Sequence, residues 1–385
     1  MRHGIAAQLG TALLATVRVG EGRSTTGRRL RLLRGWLLVG VALVAVTSFA
    51  AFTGVRDTVE TARAQAVPAI LGSASAYESL VRANTAAVLA LDDGPARLGG
   101  SGELAQTQLG VAGQSLAQAG EHNAAGPVSR RELQLVQGLL ASYTSWMAQA
   151  DVRYRSGDES VAAATDVWYA AQLLHGSDGM LAHLSRLRAA QLDALDRQLA
   201  TGWTHPATVA VWVVPVLVLG AALVAVQLYF RRRFRRTLNP HLLAATGLLL
   251  AVATLTALTL PAQAQAQAGA VQLREDVGAW QQRVQSSTAA DRRLVAALVT
   301  GRCWSIGCGP AVAEFAATPS GSAPPRASAA EHDLTVAGER ADSALAAALW
   351  PSMLRWLIVL CSAGLAALVV TGFQARINEY RFHLT

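Results

Sequence analysis

Residues 231–236 read RRRFRR, five arginines in six positions, and they stand between two long stretches without charge. AVWVVPVLVLGAALVAVQLYF precedes them and LLAATGLLLAVATLTALTL follows shortly after. A bilayer core takes about 20 apolar residues of helix, and four segments meet that length: Trp36–Val55, Ala207–Phe230, Leu242–Leu260 and Trp356–Phe373. Four such runs bounded by arginine predict an all-α integral membrane protein with four transmembrane helices.

The charges predict orientation. Residues 1–35 carry +6, the 231–240 loop +5 and the tail after Phe373 +1, whereas 56–206 carries −4 and 261–355 is neutral, within a chain of net charge +8. Arginine excess in short flanks marks the cytoplasmic side of a bacterial plasma membrane. Both chain ends and the 231–241 loop are therefore expected inside, and the two long segments outside. All 33 basic residues are arginine; because they flank spans and do not line one face of a domain, they do not predict nucleic-acid binding. The first span reads as a retained signal anchor. Ile5, Leu9, Leu13 and Val17 ahead of it are spaced for a short amphipathic helix on the inner leaflet.

The outer segment 56–206 is helical by period. Val59, Ala62, Ala66, Ile70, Ser73, Tyr77, Leu80, Asn84, Ala87 and Leu91 advance in steps of three and four, a coiled-coil-like seam with polar positions at Ser73 and Asn84. Similar patterns over 105–119 and 133–154, and a last helix over 159–203, predict an extracytoplasmic four-helix bundle. The segment 261–355 repeats the plan in miniature. Leu273, Val277, Trp280, Val284, Leu294 and Leu298 lead up to an irregular middle, and Leu334, Ala337, Ala341, Leu345 and Ala348 form the return helix. This second, smaller helical hairpin is expected to lean on the larger bundle. Two span–ectodomain–span units in tandem look like an internal duplication.

Little in the sequence points to chemistry. The histidines are scattered, with no HExxH pair, phosphate loop or GxSxG elbow. The spans hold no Asp, Glu, Arg or His, which argues against an ion or proton pathway. The inner pieces are too short to build a catalytic domain. No enzyme activity, cofactor or metal is expected. Cys303 and Cys308, in GRCWSIGCGP, lie on the outer side and read as a disulfide staple on a loop. Both outer segments place proline where they enter their closing spans: Pro206, shortly after Gly202, and Pro351. These three residues are the expected hinge.

The loop FRRTLNPHLLAAT (Phe234–Thr246) and the tail GFQARINEYR resemble the corresponding stretches of actinobacterial four-span sensors of the GlnX type, with Tyr143 followed by RSGD as a weaker echo. Their tandem ectodomains are similar to chemoreceptor helical bundles. The second outer segment here is short and carries its own CWSIGC loop. The resemblance implies a relay between an extracytoplasmic solute-binding lipoprotein and a cytoplasmic Ser/Thr kinase. The arginine forks of a loop too short to leave the membrane, together with the tail, make Arg235, Arg236, Asn239, Arg376, Glu379, Tyr380 and Arg381 the expected docking site for a soluble cytoplasmic partner, a kinase by the resemblance. The alternatives are a structural or assembly protein of the cell envelope and an auxiliary transporter subunit. Homo-oligomerisation is compatible with each.

Overall fold

The computed structural model describes residues 26–92, 101–123, 125–156, 161–201, 206–234, 240–302, 309–316, 327–349 and 353–381. Those residues are helical with short turns, and none is in a strand. Among the described residues four helices are long and apolar enough to cross a membrane, so the chain is a multi-pass membrane protein.

The contacts divide the chain into two compact units. One contains residues 1–51, 209–257 and 352–385. Its described helices are the first part of α1 (Thr26–Thr61), α7 (Pro206–Phe234), α8 (Pro240–Ala257) and α12 (Met353–Arg381). They leave large apolar side chains uncovered, among them Trp36, Val46, Leu217, Leu250 and Leu360, as lipid-facing surfaces do. α12 packs along α8, with Gly364 admitting Leu248 against its backbone, the close approach that small residues allow between membrane helices. α7 and α8 are also joined by a polar clamp. Gln227 Nε2 donates to the Leu242 carbonyl at 3.0 Å and to Thr246 Oγ1 at 2.8 Å. In hydrocarbon that amide has no water to turn to, so it settles on the neighbouring helix.

The second unit combines residues 52–208 with 258–351. After α1 comes a π-helical turn, Ala62–Ala66, closed by the Val67 N–H bonding to the Ala62 carbonyl five residues back. Pro68 explains it, since it lacks an N–H for the Ala64 carbonyl and crowds that turn, so the helix widens locally and continues. α2 (Val67–Asp92) follows, then α3 (Ser101–Glu121), α4 (Pro127–Arg155), α5 (Val161–His175), α6 (Met180–Thr201), α9 (Thr259–Arg302), the short α10 (Pro310–Ala316) and α11 (Ala327–Ala347). Between α8 and α9 the helix breaks at Leu258, where Pro261 cannot donate to the Ala257 carbonyl.

α2 is buried on several faces. One side packs with Leu116 of α3, Tyr143 of α4 and Leu184 and Leu187 of α6; another meets Trp280 and Val284 of α9 and Leu334 of α11. Around its start Ala66 of the π turn and Ile70 share a core with Leu195 of α6, Leu273 of α9 and Leu345 of α11. At its end Val88 and Leu91 share one with Ala150, Val167 and Val295. The residues of the second segment therefore complete cores that the first begins.

The helix expected over 159–203 is divided. α5 ends at His175 and α6 begins at Met180, across Gly-Ser-Asp-Gly. A Cβ on Gly179 would lie 2.7 Å from the Leu174 carbonyl oxygen, and one on Gly176 2.6 Å from that of Gln172. The Gly179 N–H bonds to the Gly176 carbonyl at 2.9 Å, and the His183 N–H to the Gly179 carbonyl at 3.1 Å. Only a residue without a side chain passes so close to the preceding turn.

Candidate functional site

The interior of the larger unit contains two polar layers, both built by α2 with helices from the two segments. The first centres on Asp291. Its side chain has no exposed surface, and a buried carboxylate needs donors on its oxygens. α2 supplies Asn84 Nδ2 to Oδ2 at 2.8 Å and Thr85 Oγ1 to Oδ1 at 2.6 Å. From α5, His175 Nε2 donates to Oδ2 at 2.8 Å. A step further out, Tyr143 of α4 donates to Asn84 Oδ1 at 3.0 Å, and Arg292 holds the His175 carbonyl at 2.8 Å. Phe315 of α10 stands edge-on to the His175 ring, centroids 5.8 Å apart. Burial, and next the negative charge of Asp291, push the Tyr143 hydroxyl well above the usual tyrosine range, so it stays protonated and donates.

The second layer lies one to two turns nearer the start of α2. Trp280 Nε1 donates to Glu78 Oε2 at 3.2 Å, and Glu78 pairs with Arg82 one turn along α2. Arg188 of α6, 3% exposed, sits with its guanidinium carbon 5.0 Å from the Trp280 ring centroid and 6.0 Å from that of Tyr77. Its Nη2 donates to Gln281 Oε1 at 2.9 Å, while Nη1 has no acceptor among the described residues. Burial lowers its proton affinity below the usual arginine range, with Tyr77 opposing. Gln191, three residues on, is fully buried, and neither of its amide atoms has a partner among the described residues. Two aromatic faces return about 2 kcal/mol to a desolvated cation, against several for taking an ion out of water.

Around these layers the two segments are laced by ion pairs at the surface. Arg63 makes a forked pair with Asp342, at 2.5 and 2.9 Å, Arg274 pairs with Asp196, and Arg283 lies 2.8 Å from Asp333. Exposed pairs of this kind are worth up to about 1 kcal/mol each and serve mainly to set register. Among the described residues no group of three His, Cys, Asp or Glu is arranged to hold a metal ion.

Asn84 and Tyr143, singled out in the sequence, meet in the first layer. Asp291, His175, Arg188 and Gln191 were not anticipated. One signal for Asp291 was present: it stands seven residues after Val284 and seven before Leu298, on the inward face of α9. The expected docking set is split. Arg376, Glu379, Tyr380 and Arg381 lie on α12, whereas Arg235, Arg236 and Asn239 fall outside the described residues, as do Gly202, Pro351, Cys303 and Cys308. Pro206 is the first residue of α7, where a missing N–H costs a helix nothing.

No curated protein and no solved structure matches the chain. Residues 58–200, which run from the end of α1 through α6 and include Asn84, Tyr143, His175, Arg188 and Gln191, match the family model of the actinobacterial sensor domain, and that match supports a sensory, signalling role for this membrane protein.

Proposed function

We infer that the chain is a non-enzymatic transmembrane signalling protein that relays an extracytoplasmic nutrient signal to a cytoplasmic Ser/Thr protein kinase. The signal arrives as a small molecule or on a solute-binding lipoprotein, an amino acid being the first candidate, and both chain termini lie in the cytoplasm. The match of residues 58–200 to a sensor domain carries the reading. Helical continuity supports it, because the chain is helical from Thr26 to Asp92, through the π turn, so a shift at α2 has a covalent route along the same helix. In this reading Arg235, Arg236, Asn239, Arg376, Glu379, Tyr380 and Arg381 dock the kinase, the guanidinium forks suiting carboxylates of the partner. Gly202, Pro206 and Pro351 are the joints, and Cys303–Cys308 is a staple on the outer loop.

The test is crosslinking in native membranes with mass spectrometry of the captured proteins. The wild-type chain is expected to capture a Ser/Thr kinase, and the triple variant Arg235→Ala, Arg236→Ala, Arg381→Ala to lose it at unchanged membrane level. Equal capture by both forms would leave those arginines with topology alone to explain them.

A further inference from the structure

Among the described residues inside the larger unit, the buried carboxylates are matched by donors, whereas the buried cation Arg188 has no carboxylate. Glu78 has Arg82 and Trp280, Asp291 has three donors, and Asp166 lies 3.0 Å from Arg153. Arg188 has none of this. It is 3% exposed, no carboxylate pairs with it among the described residues, and its Nη1 carries two N–H groups with no acceptor. Arginine does not escape such a position by losing its proton. Gln191 stands at i+3 on the same helix face, with no exposed surface and with Nε2 and Oε1 both idle. Two unsatisfied polar side chains one turn apart are unusual in a packed interior. Tyr77 from α2 and Trp280 from α9 bound the guanidinium and keep water from it.

The geometry points to Arg188 and Gln191 as the binding site for a small carboxylate that bears a hydrogen-bond donor next to its carboxyl group, a 2-hydroxy or 2-amino acid. The donor inventory sets the class. Arg188 Nη1 and Gln191 Nε2 donate to the two carboxylate oxygens, a charge-assisted arrangement. Gln191 Oε1 is then free to accept from the ligand's hydroxyl or ammonium. With Tyr77 on α2, Arg188 on α6 and Trp280 and Gln281 on α9, the bound anion ties the first segment to the second. This deepens the sensory reading and rests on it only for the consequence of binding.

The experiment uses the full chain in lipid nanodiscs, with melting temperature and titration calorimetry as readouts and L-lactate, L-serine and acetate as probes. Lactate or serine is expected to raise the melting temperature with concentration and to bind about tenfold tighter than acetate, the worth of one hydrogen bond in a charged site. Arg188→Met should abolish the shift yet melt, without ligand, at or above the wild-type temperature, since a buried charge without a counter-ion gives way to an apolar chain of similar reach. Gln191→Leu, which keeps the arginine, should bring lactate down to the affinity of acetate. No heat and no shift with any of the three probes overturns the proposal, as do unchanged binding in both variants or a lower ligand-free melting temperature in Arg188→Met. Absent binding with kinase capture intact sinks this site alone; binding without capture sinks the relay alone.

Discussion

Asp291 accepts from Asn84, Thr85 and His175, so its removal strands three buried donors at once. Asp291→Ala is expected to cost about 3–5 kcal/mol, the range for breaking a buried charged network by removing one partner, read as a fall in thermal midpoint by circular dichroism. Tyr143→Phe removes one hydrogen bond and should cost only about 1 kcal/mol at neutral pH. Its signature is alkaline. The folded protein holds the Tyr143 proton more tightly than the unfolded chain, whose tyrosines titrate near about pH 10. The stability this contributes is complete below that pH and declines as pH rises past it, by up to about 1.4 kcal/mol per unit. Melting curves between about pH 8 and pH 11 should show the phenylalanine variant with a correspondingly flatter decline. Asn84 and Tyr143 were legible as inward positions on amphipathic helices. Asp291 shared the seven-residue spacing of Val284 and Leu298, but its role was not legible, because its partners lie more than 100 residues earlier and a lone acid in AADRRLVAALV reads as a solvated face.

At the scale of elements, period located the helices and backbone exceptions reshaped them. The division of α5 from α6 depends on Gly176 and Gly179, where a Cβ would lie within 3 Å of backbone atoms. Gly179→Ala is therefore expected to destabilise by about 1–3 kcal/mol, as overpacked sites do. Gly138 on the exposed face of α4 has nothing within 4 Å of a would-be Cβ, and Gly138→Ala should stabilise by about 0.5–1 kcal/mol. Paired thermal melts check both, and a silent Gly179→Ala would show that the turn has room to relax. RSGD after α4 was readable as a break, whereas HGSDG was overridden by the leucines on either side of it. The π turn before Pro68 and the Gln227 clamp on α8 depend on single residues that a periodicity scan passes over.

At the scale of the molecule, the apolar helices determine that the chain is a multi-pass membrane protein. The arginine distribution makes a separate prediction about direction. In a background with Cys303, Cys308 and Cys361 replaced by serine, Gln118→Cys and Glu339→Cys, both at exposed positions, should react with an impermeant thiol reagent on intact cells, and Leu238→Cys should react only after the membrane is opened. Labelling of Leu238→Cys on intact cells would reverse the orientation and with it the assignment of partners to sides.

The sequence alone determined which segments enter a bilayer and which are amphipathic helices, because both follow from local composition and from a period of three to four residues. Hydrophobic runs, seam positions such as Ile70, Leu80 and Leu184, and the arginine flanks need no knowledge of a partner helix. Only the tertiary structure decided that α2 is enclosed by helices of both the 52–208 and the 258–351 segments, that Asp291 meets Asn84 and His175, and that Arg188 sits between Tyr77 and Trp280 with no carboxylate partner among the described residues. Those are long-range pairings. A buried charge has the same letter as an exposed one, and its meaning depends on which side chains the fold brings within about 3 Å of it.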